Sequence, residues 1–223
     1  NNPDPNNDGT PDENSPTPVN FTESPSVGLA KRNSNTVNNG DGTYTVSYVF
    51  LIENFGDIVV NDLEIFDDVL NQYSGLNPTN FSASDGTLNA NAFWDGTASS
   101  NILAASQSLA IGQTGTVNIT FDVTPGTTTF IPNNATVEAT SPGLMNLSDT
   151  SNDGTDPDTN LDNIPLENSP TNTFFNENPS ISINKKEPTF VVNADGTFRF
   201  TYEIEFENTG DIVLNNIEIL DNV

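Results

Sequence analysis

Residues 1–69 of this chain return, without a gap, 154 positions further on (Gly56 to Gly210), and 32 of the 69 pairs are identical. Glu13-Asn14-Ser15-Pro16-Thr17 comes back as Glu167-Asn168-Ser169-Pro170-Thr171, and Gly56-Asp57-Ile58-Val59 as Gly210-Asp211-Ile212-Val213. A repeat of fixed period limits the fold to copies of one unit. A period this long is a domain rather than a turn of a thin solenoid. The expected organisation is an acidic linker over 1–22, a β-sandwich repeat over 23–148, a second acidic linker over 149–176, and the N-terminal part of the next repeat over 177–223.

Within the unit the apolar residues alternate. Tyr44, Val46, Tyr48, Phe50 and Ile52 lie two apart, as do Phe198, Phe200, Tyr202, Ile204 and Phe206 in the second copy and Val117, Ile119, Phe121 and Val123 between them. Period two marks strands with one face buried and the other wet. Further strands are expected over 26–32, 58–66, 81–90, 102–110 and 134–140, punctuated by turn sequences such as Asn39-Gly40-Asp41-Gly42, Asp85-Gly86 and Pro125-Gly126. Short strands in this number predict an all-β fold, an immunoglobulin-like antiparallel β-sandwich, with a closed barrel as the alternative. Trp94, the one Trp, is expected to pack partly buried rather than to form a carbohydrate platform.

Five basic residues stand against 31 acidic ones, a net charge of −26. Nucleic acid is excluded as a default partner, because phosphate binding needs clustered Lys and Arg. Anionic membrane surfaces are disfavoured on the same ground. No apolar run approaches the roughly 20 residues of a membrane helix, so no membrane insertion is expected in this segment. Cys and His are both absent, which removes thiolate chemistry, the commonest general base and the usual zinc ligand. With no phosphate loop or nucleophile turn either, no catalytic residues are expected and the chain reads as a non-enzyme.

One constellation carries chemistry. Asp4-Pro5-Asn6-Asn7-Asp8-Gly9-Thr10-Pro11-Asp12-Glu13 sets oxygen side chains at alternate positions. Calcium takes six to eight oxygen ligands at about 2.3–2.6 Å, which a curled loop of this spacing can supply. Asp4, Asn6, Asp8 and Glu13 fall on Asp158, Asn160, Asp162 and Glu167, while neighbours such as Asp12 and Leu166 differ. Asp149-Thr150-Ser151-Asn152-Asp153-Gly154-Thr155-Asp156 repeats the spacing just upstream. The candidate Ca2+ ligands are therefore Asp4, Asn6, Asp8, Asp12, Glu13, Asp149, Asp153, Asp156, Asp158, Asn160, Asp162 and Glu167. A plain solvated linker is the alternative, and magnesium suits so flexible a loop less well. Asp57/Asp211 and Asp67/Asp221 read as turn caps, with Asp67-Asp68 able to reach a linker ion. Lys31 and Lys185 read as solvated strand charges, each pairing with a nearby acid.

The runs Asn39-Gly40-Asp41-Gly42-Thr43-Tyr44, Glu53-Asn54-x-Gly56-Asp57-Ile58-Val59, Leu109-Ala110-Ile111-Gly112-Gln113-Thr114-Gly115 and Asn133-Asn134-Ala135-Thr136-Val137 resemble the conserved tandem repeat of large bacterial surface adhesins, above all those of Bacteroidota, with Phe55 departing from the usual Thr found at Thr209. The resemblance implies immunoglobulin-like sandwiches in long arrays, secreted and displayed at the bacterial cell surface, with roles in cell adhesion, filament formation or gliding motility. It implies no ligand-binding residues, because the shared motif is structural. The expected function is the stalk of a giant adhesin, stiffened by calcium at its inter-domain linkers. The expected partners are neighbouring repeats of the same chain, with a glycan or surface ligand reached through domains outside this segment. The alternatives are a subunit of an extracellular filament or sheath, where copies pack on one another, and a glycan- or protein-binding module.

Overall fold

The computed structural model describes residues 4, 7–9, 18–105 and 107–222 of the 223-residue chain. The chain is almost wholly β, in several antiparallel sheets. In order these are β1 (Val27–Asn38), β2 (Tyr44–Asn54), β3 (Asn61–Phe66), a single helical turn α1 (Val69–Gln72), β4 (Thr79–Asp85), β5 (Thr114–Val123), β6 (Phe130–Asn133), β7 (Thr136–Thr140), β8 (Asn146–Thr150), β9 (Asn152–Asp153) and β10 (Thr171–Phe174). The second copy supplies β11 (Ile181–Lys185), β12 (Thr189–Val192), β13 (Phe198–Thr201) and β14 (Ile204–Asn208). No helix among the described residues is long and apolar enough to cross a membrane.

The larger sheet runs β4-β5-β2-β1-β9 and the smaller β3-β7-β8, while β6 and β10 form a two-stranded pair of their own. Along β2 every second residue, from Tyr44 to Ile52, is buried, as the alternation predicts. Those side chains meet Val117, Ile119 and Phe121 of β5, and Leu63, Ile65, Val137 and Ala139 of the smaller sheet, in one core. Each large apolar side chain fully buried there contributes about 1.5–3 kcal/mol. Trp94 is buried as well, with its ring edge-on to Phe81 at 5.6 Å between centroids.

Among the described residues of 102–110, the expected strand is instead irregular, held by isolated bridges from Leu103 to Ala90 and from Leu109 to Val60. Side-chain amides and scattered backbone bonds take the place of a ladder. Asn101 Oδ1 accepts from the amides of Ile65 and Leu103, both at 2.9 Å, and Gln107 bonds both backbone groups of Asn89. A buried backbone must be satisfied by something, and here amide side chains share that role with scattered backbone bonds, such as those from Ile102 to Ile65 and from Ala104 to Asn89.

The segment 149–176 is built into the sandwich rather than hung beside it as a linker. β8 pairs with β7, β9 runs parallel to β1, and β10 pairs with β6. Beyond β10, Phe175 closes the core, edge-on to Tyr44 at 5.4 Å. Gly28 on β1 marks how closely the segment lies. A Cβ there would come within 2.6 Å of Pro165 and 2.9 Å of Pro157. Consequently Val27 through Lys31 are all buried, on both faces of the strand.

The second copy repeats the first strand pair in register. Ile181 opposes Asn208 as Val27 opposes Asn54, and Lys185 opposes Ile204 as Lys31 opposes Phe50. Its apolar side chains are uncovered, however. Ile183 is 63% exposed and Phe206 52%, where their counterparts Leu29 and Ile52 are fully buried.

Candidate functional site

Of the expected ligands, Asn6, Asp12 and Glu13 lie outside the described residues. Asp158 is buried and organises the turn that follows it. Its Oδ1 accepts from the amide of Asp162 at 3.2 Å and its Oδ2 from that of Asn163 at 2.8 Å. Asp4 does the same in the first copy, accepting from Asp8 at 3.1 Å and Gly9 at 2.9 Å. The backbone repeats too. Asn7 and Leu161 share φ 62°, while Gly9 and Asn163 both take the left-handed region. Two sequences that differ at these positions thus curl into one turn around the same carboxylate.

The remaining acids do not gather about it. Asp156 accepts from the amide of Asp158, Asn160 from that of Asp162, and Asp162 from that of Ile164, each an Asx turn along the chain. Asp149 lies apart. Its Oδ2 accepts from the Leu29 amide at 2.7 Å, stapling β8 to β1. Burial pushes that carboxyl up to about 6, against the pull of the Leu29 and Thr150 amides. Asp153 sits in β9 beside Lys31 of β1. Among the described residues no three acidic side chains come together as a group that could hold an ion. One acid is left wanting a partner, since Glu167 Oε2 is buried without a hydrogen bond.

Lys31 pairs with a nearby acid as expected, but its reading as a solvated charge is corrected, as is that of Asp67 as a turn cap within reach of a linker ion. Both are fully buried and face each other, with Lys31 Nζ 2.5 Å from Asp67 Oδ2. β1 delivers the lysine and the end of β3 the aspartate. The other carboxylate oxygen, Oδ1, accepts from Asn133 Nδ2 at 3.1 Å and Gln72 Nε2 at 3.2 Å. Asn133 is itself buried at the end of β6, and its own Oδ1 has no partner. The ammonium lies 4.0 Å from the centroid of the Tyr48 ring and 5.5 Å from that of Phe50. Burial pushes Lys31 down to about 8, with Asp67 opposing, and pushes Asp67 up, with Lys31 opposing. Both shifts favour the uncharged forms.

The sequence carried a signal for this cluster. Lys31, Tyr48 and Asp67 recur together as Lys185, Tyr202 and Asp221. Lys185 Nζ lies 2.8 Å from both Asp221 oxygens and 4.1 Å from the Tyr202 ring centroid, half-exposed in the uncovered second copy. Neither a turn cap nor a solvated strand charge accounts for a lysine, a ring and an acid kept together at fixed separations.

The glycan-platform alternative finds no support at Trp94, which is 3% exposed. Beside it Phe93 stands 89% exposed, but alone. No family model matches this chain, and no curated protein does.

Proposed function

We propose that this chain is a stretch of a tandem stalk, in which immunoglobulin-like sandwiches follow one another through ordered joints and hold an adhesive element away from a bacterial surface. The observation that carries this reading is the joint. The segment after the first sandwich is stitched back onto it through β9, β10 and Phe175, and within three residues of Phe175 the next copy begins its own backbone bonding. Asp211 accepts from Asn178 as Asp57 accepts from Ser24, at 2.7 and 2.8 Å. Chain that is pinned on both sides transmits direction, whereas a free linker does not. Phe21 fits the same plan. It is the counterpart of Phe175 and is 91% exposed, a ring shaped to close a sandwich preceding it in an array.

Calcium belongs to the proposal as an ion that would draw Asp156, Asn160, Asp162 and Glu167, which do not gather without it, onto the turn centred on Asp158, and that would act likewise at the Asp4 turn in the first copy. One observation supports it: the turn is kept between copies that differ around it. An ion bound only by the ordered form would stabilise that form by mass action. Extracellular calcium modules of this kind work at Kd values of about 10⁻⁴–10⁻³ M.

Small-angle scattering of the full 223-residue chain tests the joint. With millimolar calcium the maximum dimension should lengthen and its distribution narrow relative to the chain in chelator. Identical profiles in the two conditions would remove calcium from the proposal, and a broad, flexible distribution in both would remove the stalk.

A further inference from the structure

Lys31 comes from β1, Asp67 from the residue after β3 and Asn133 from the end of β6, and they meet in the part of the core where Tyr48 and Phe50 close off one side. None is exposed. An ion pair sealed in this way gains little stability over apolar packing, yet the lysine, its acid and its aromatic neighbour are all retained in the second copy. The side chain of Asn133, whose carbonyl oxygen has no partner, adds an electrophile in its amide carbon Cγ. A primary amine, a carboxamide and a carboxyl group that touches both are the components of a transamidation.

We propose that the Lys31 amine and the Asn133 side-chain amide join in an intramolecular amide bond, with Asp67 moving the protons. Asp67 bonds Lys31 through one oxygen and Asn133 through the other. The backbone holds the two reactants close as well. Thr171 of β10 opposes Asn133 in the β6–β10 pair, and its hydroxyl donates to the Lys31 carbonyl at 2.7 Å.

The reaction balances with the groups present. One proton passes from the ammonium to Asp67, leaving a free amine and a neutral carboxyl group, the pair that desolvation favours. A half-turn of the Asn133 amide exchanges its Nδ2 and Oδ1. The carbonyl oxygen then accepts from the Asp67 acid, which polarises Cγ. The Nζ lone pair attacks Cγ, a C–N bond forms, and the carbonyl electrons move onto oxygen. As the intermediate collapses, the bond from Cγ to Nδ2 breaks. The departing nitrogen takes a proton from Asp67 and leaves as ammonia, and Asp67 takes one from Nζ. The sum is one amine plus one primary amide giving one secondary amide plus ammonia, with no oxidant, reductant or co-reactant. Positioning of this quality can replace activation of the amide, because effective molarities of about 10⁵–10⁸ M are reached by well-oriented neighbours.

Amide formation on Asp67 itself is the competing chemistry, and it would release water. It needs a second acid to protonate the departing oxygen, and Asp67 is bonded by amide groups of Asn133 and Gln72 instead.

The test is intact mass spectrometry of the purified, denatured full chain, held at neutral pH until its mass is constant. The expected mass is that of the sequence less one ammonia. A succinimide at Asn39-Gly40 would lose the same mass, so peptide mapping decides, and a branched peptide joining the Lys31 and Asn133 fragments is expected. Asp67→Asn and Asn133→Ala should each restore the full sequence mass. The wild-type measurement stands even if those variants fold poorly. An unmodified mass, loss of water, or loss of ammonia without the branched peptide would each overturn the assignment. The readout is indifferent to calcium and to any stalk role, so its failure leaves the scattering experiment untouched.

Discussion

Thr173 offers one hydroxyl to three neighbours: the hydroxyls of Tyr48 and Tyr73, the latter at 3.1 Å, and Asn33 Nδ2 at 2.9 Å. It is fully buried, as are both tyrosines. Burial pushes Tyr73 up to about 12 and Tyr48 well above its usual value, so both remain neutral donors through the physiological range. Thr173→Val keeps the shape and removes the shared partner. Asn33 retains its bonds to Thr36, and the tyrosines retain each other. The expected cost is therefore of the order of 1–3 kcal/mol, the desolvation of under-satisfied groups. Thr173→Ser should cost less than Val despite its smaller volume. Urea unfolding midpoints of the two variants check this ordering, and a valine variant as stable as the parent would show that the hydroxyl is dispensable.

β10 holds Thr173, and with Phe175 just beyond it completes a sandwich that the strand alternation alone would end near residue 148. Ending the chain at 176 should therefore leave a unit that unfolds in one cooperative step. Ending it at 148 removes β9, β10, Phe175 and the Asp149 staple, and exposes the edge of β6 as an unpaired strand. Loss of the Phe175 ring alone is worth about 3–5 kcal/mol by analogy with buried Phe→Ala changes. Thermal melts of 18–148 against 18–176 should differ by a large drop in midpoint or loss of the transition, and coincident melts would restore the boundary at 148. The alternation of β2 and β5 was readable because each strand has one dry face. β1 was read for its first residues only, and β6, β8, β9 and β10 escaped notice. These are short, polar, or buried on both sides, as when the prolines at 157 and 165 lie over Gly28. Their partners are distant in sequence, and period two has nothing to register in four residues such as Thr171–Phe174. The carboxylate spacing likewise revealed a conserved turn at Asp4 and Asp158. Whether its acids point together depends on backbone amides that the spacing does not encode, and those amides already occupy both Asp158 oxygens.

Across the whole molecule the two copies share a register and differ in cover. β1 and β2 are backed by β5 and the smaller sheet, whereas β11 through β14 form two separate pairs whose Phe190, Phe198, Phe200 and Phe206 are all more than half exposed. Two-stranded pairs without a packed face are marginal in water, so identical hydrogen bonds should be protected to very different degrees. Hydrogen exchange on the full chain at low protein concentration is expected to show amides of 50–54 exchanging only on global unfolding. Those of 204–208, their counterparts in register, should exchange orders of magnitude faster through local opening. Charge sets how this changes with conditions. The chain carries −26 net, and three of its five cations are already engaged, Lys31 with Asp67, Lys185 with Asp221 and Lys186 with Glu203 and Glu205. Like-charged copies repel one another, and salt shortens the reach of that repulsion to about 8 Å at physiological strength. Raising salt and protein concentration together should therefore slow exchange in 181–208 as the apolar faces find each other, while leaving 27–54 unchanged. Protection of 181–208 equal to that of 27–54 in dilute, low-salt solution would show that these strands form a packed unit by themselves, and that the exposed faces described here are covered in the free chain.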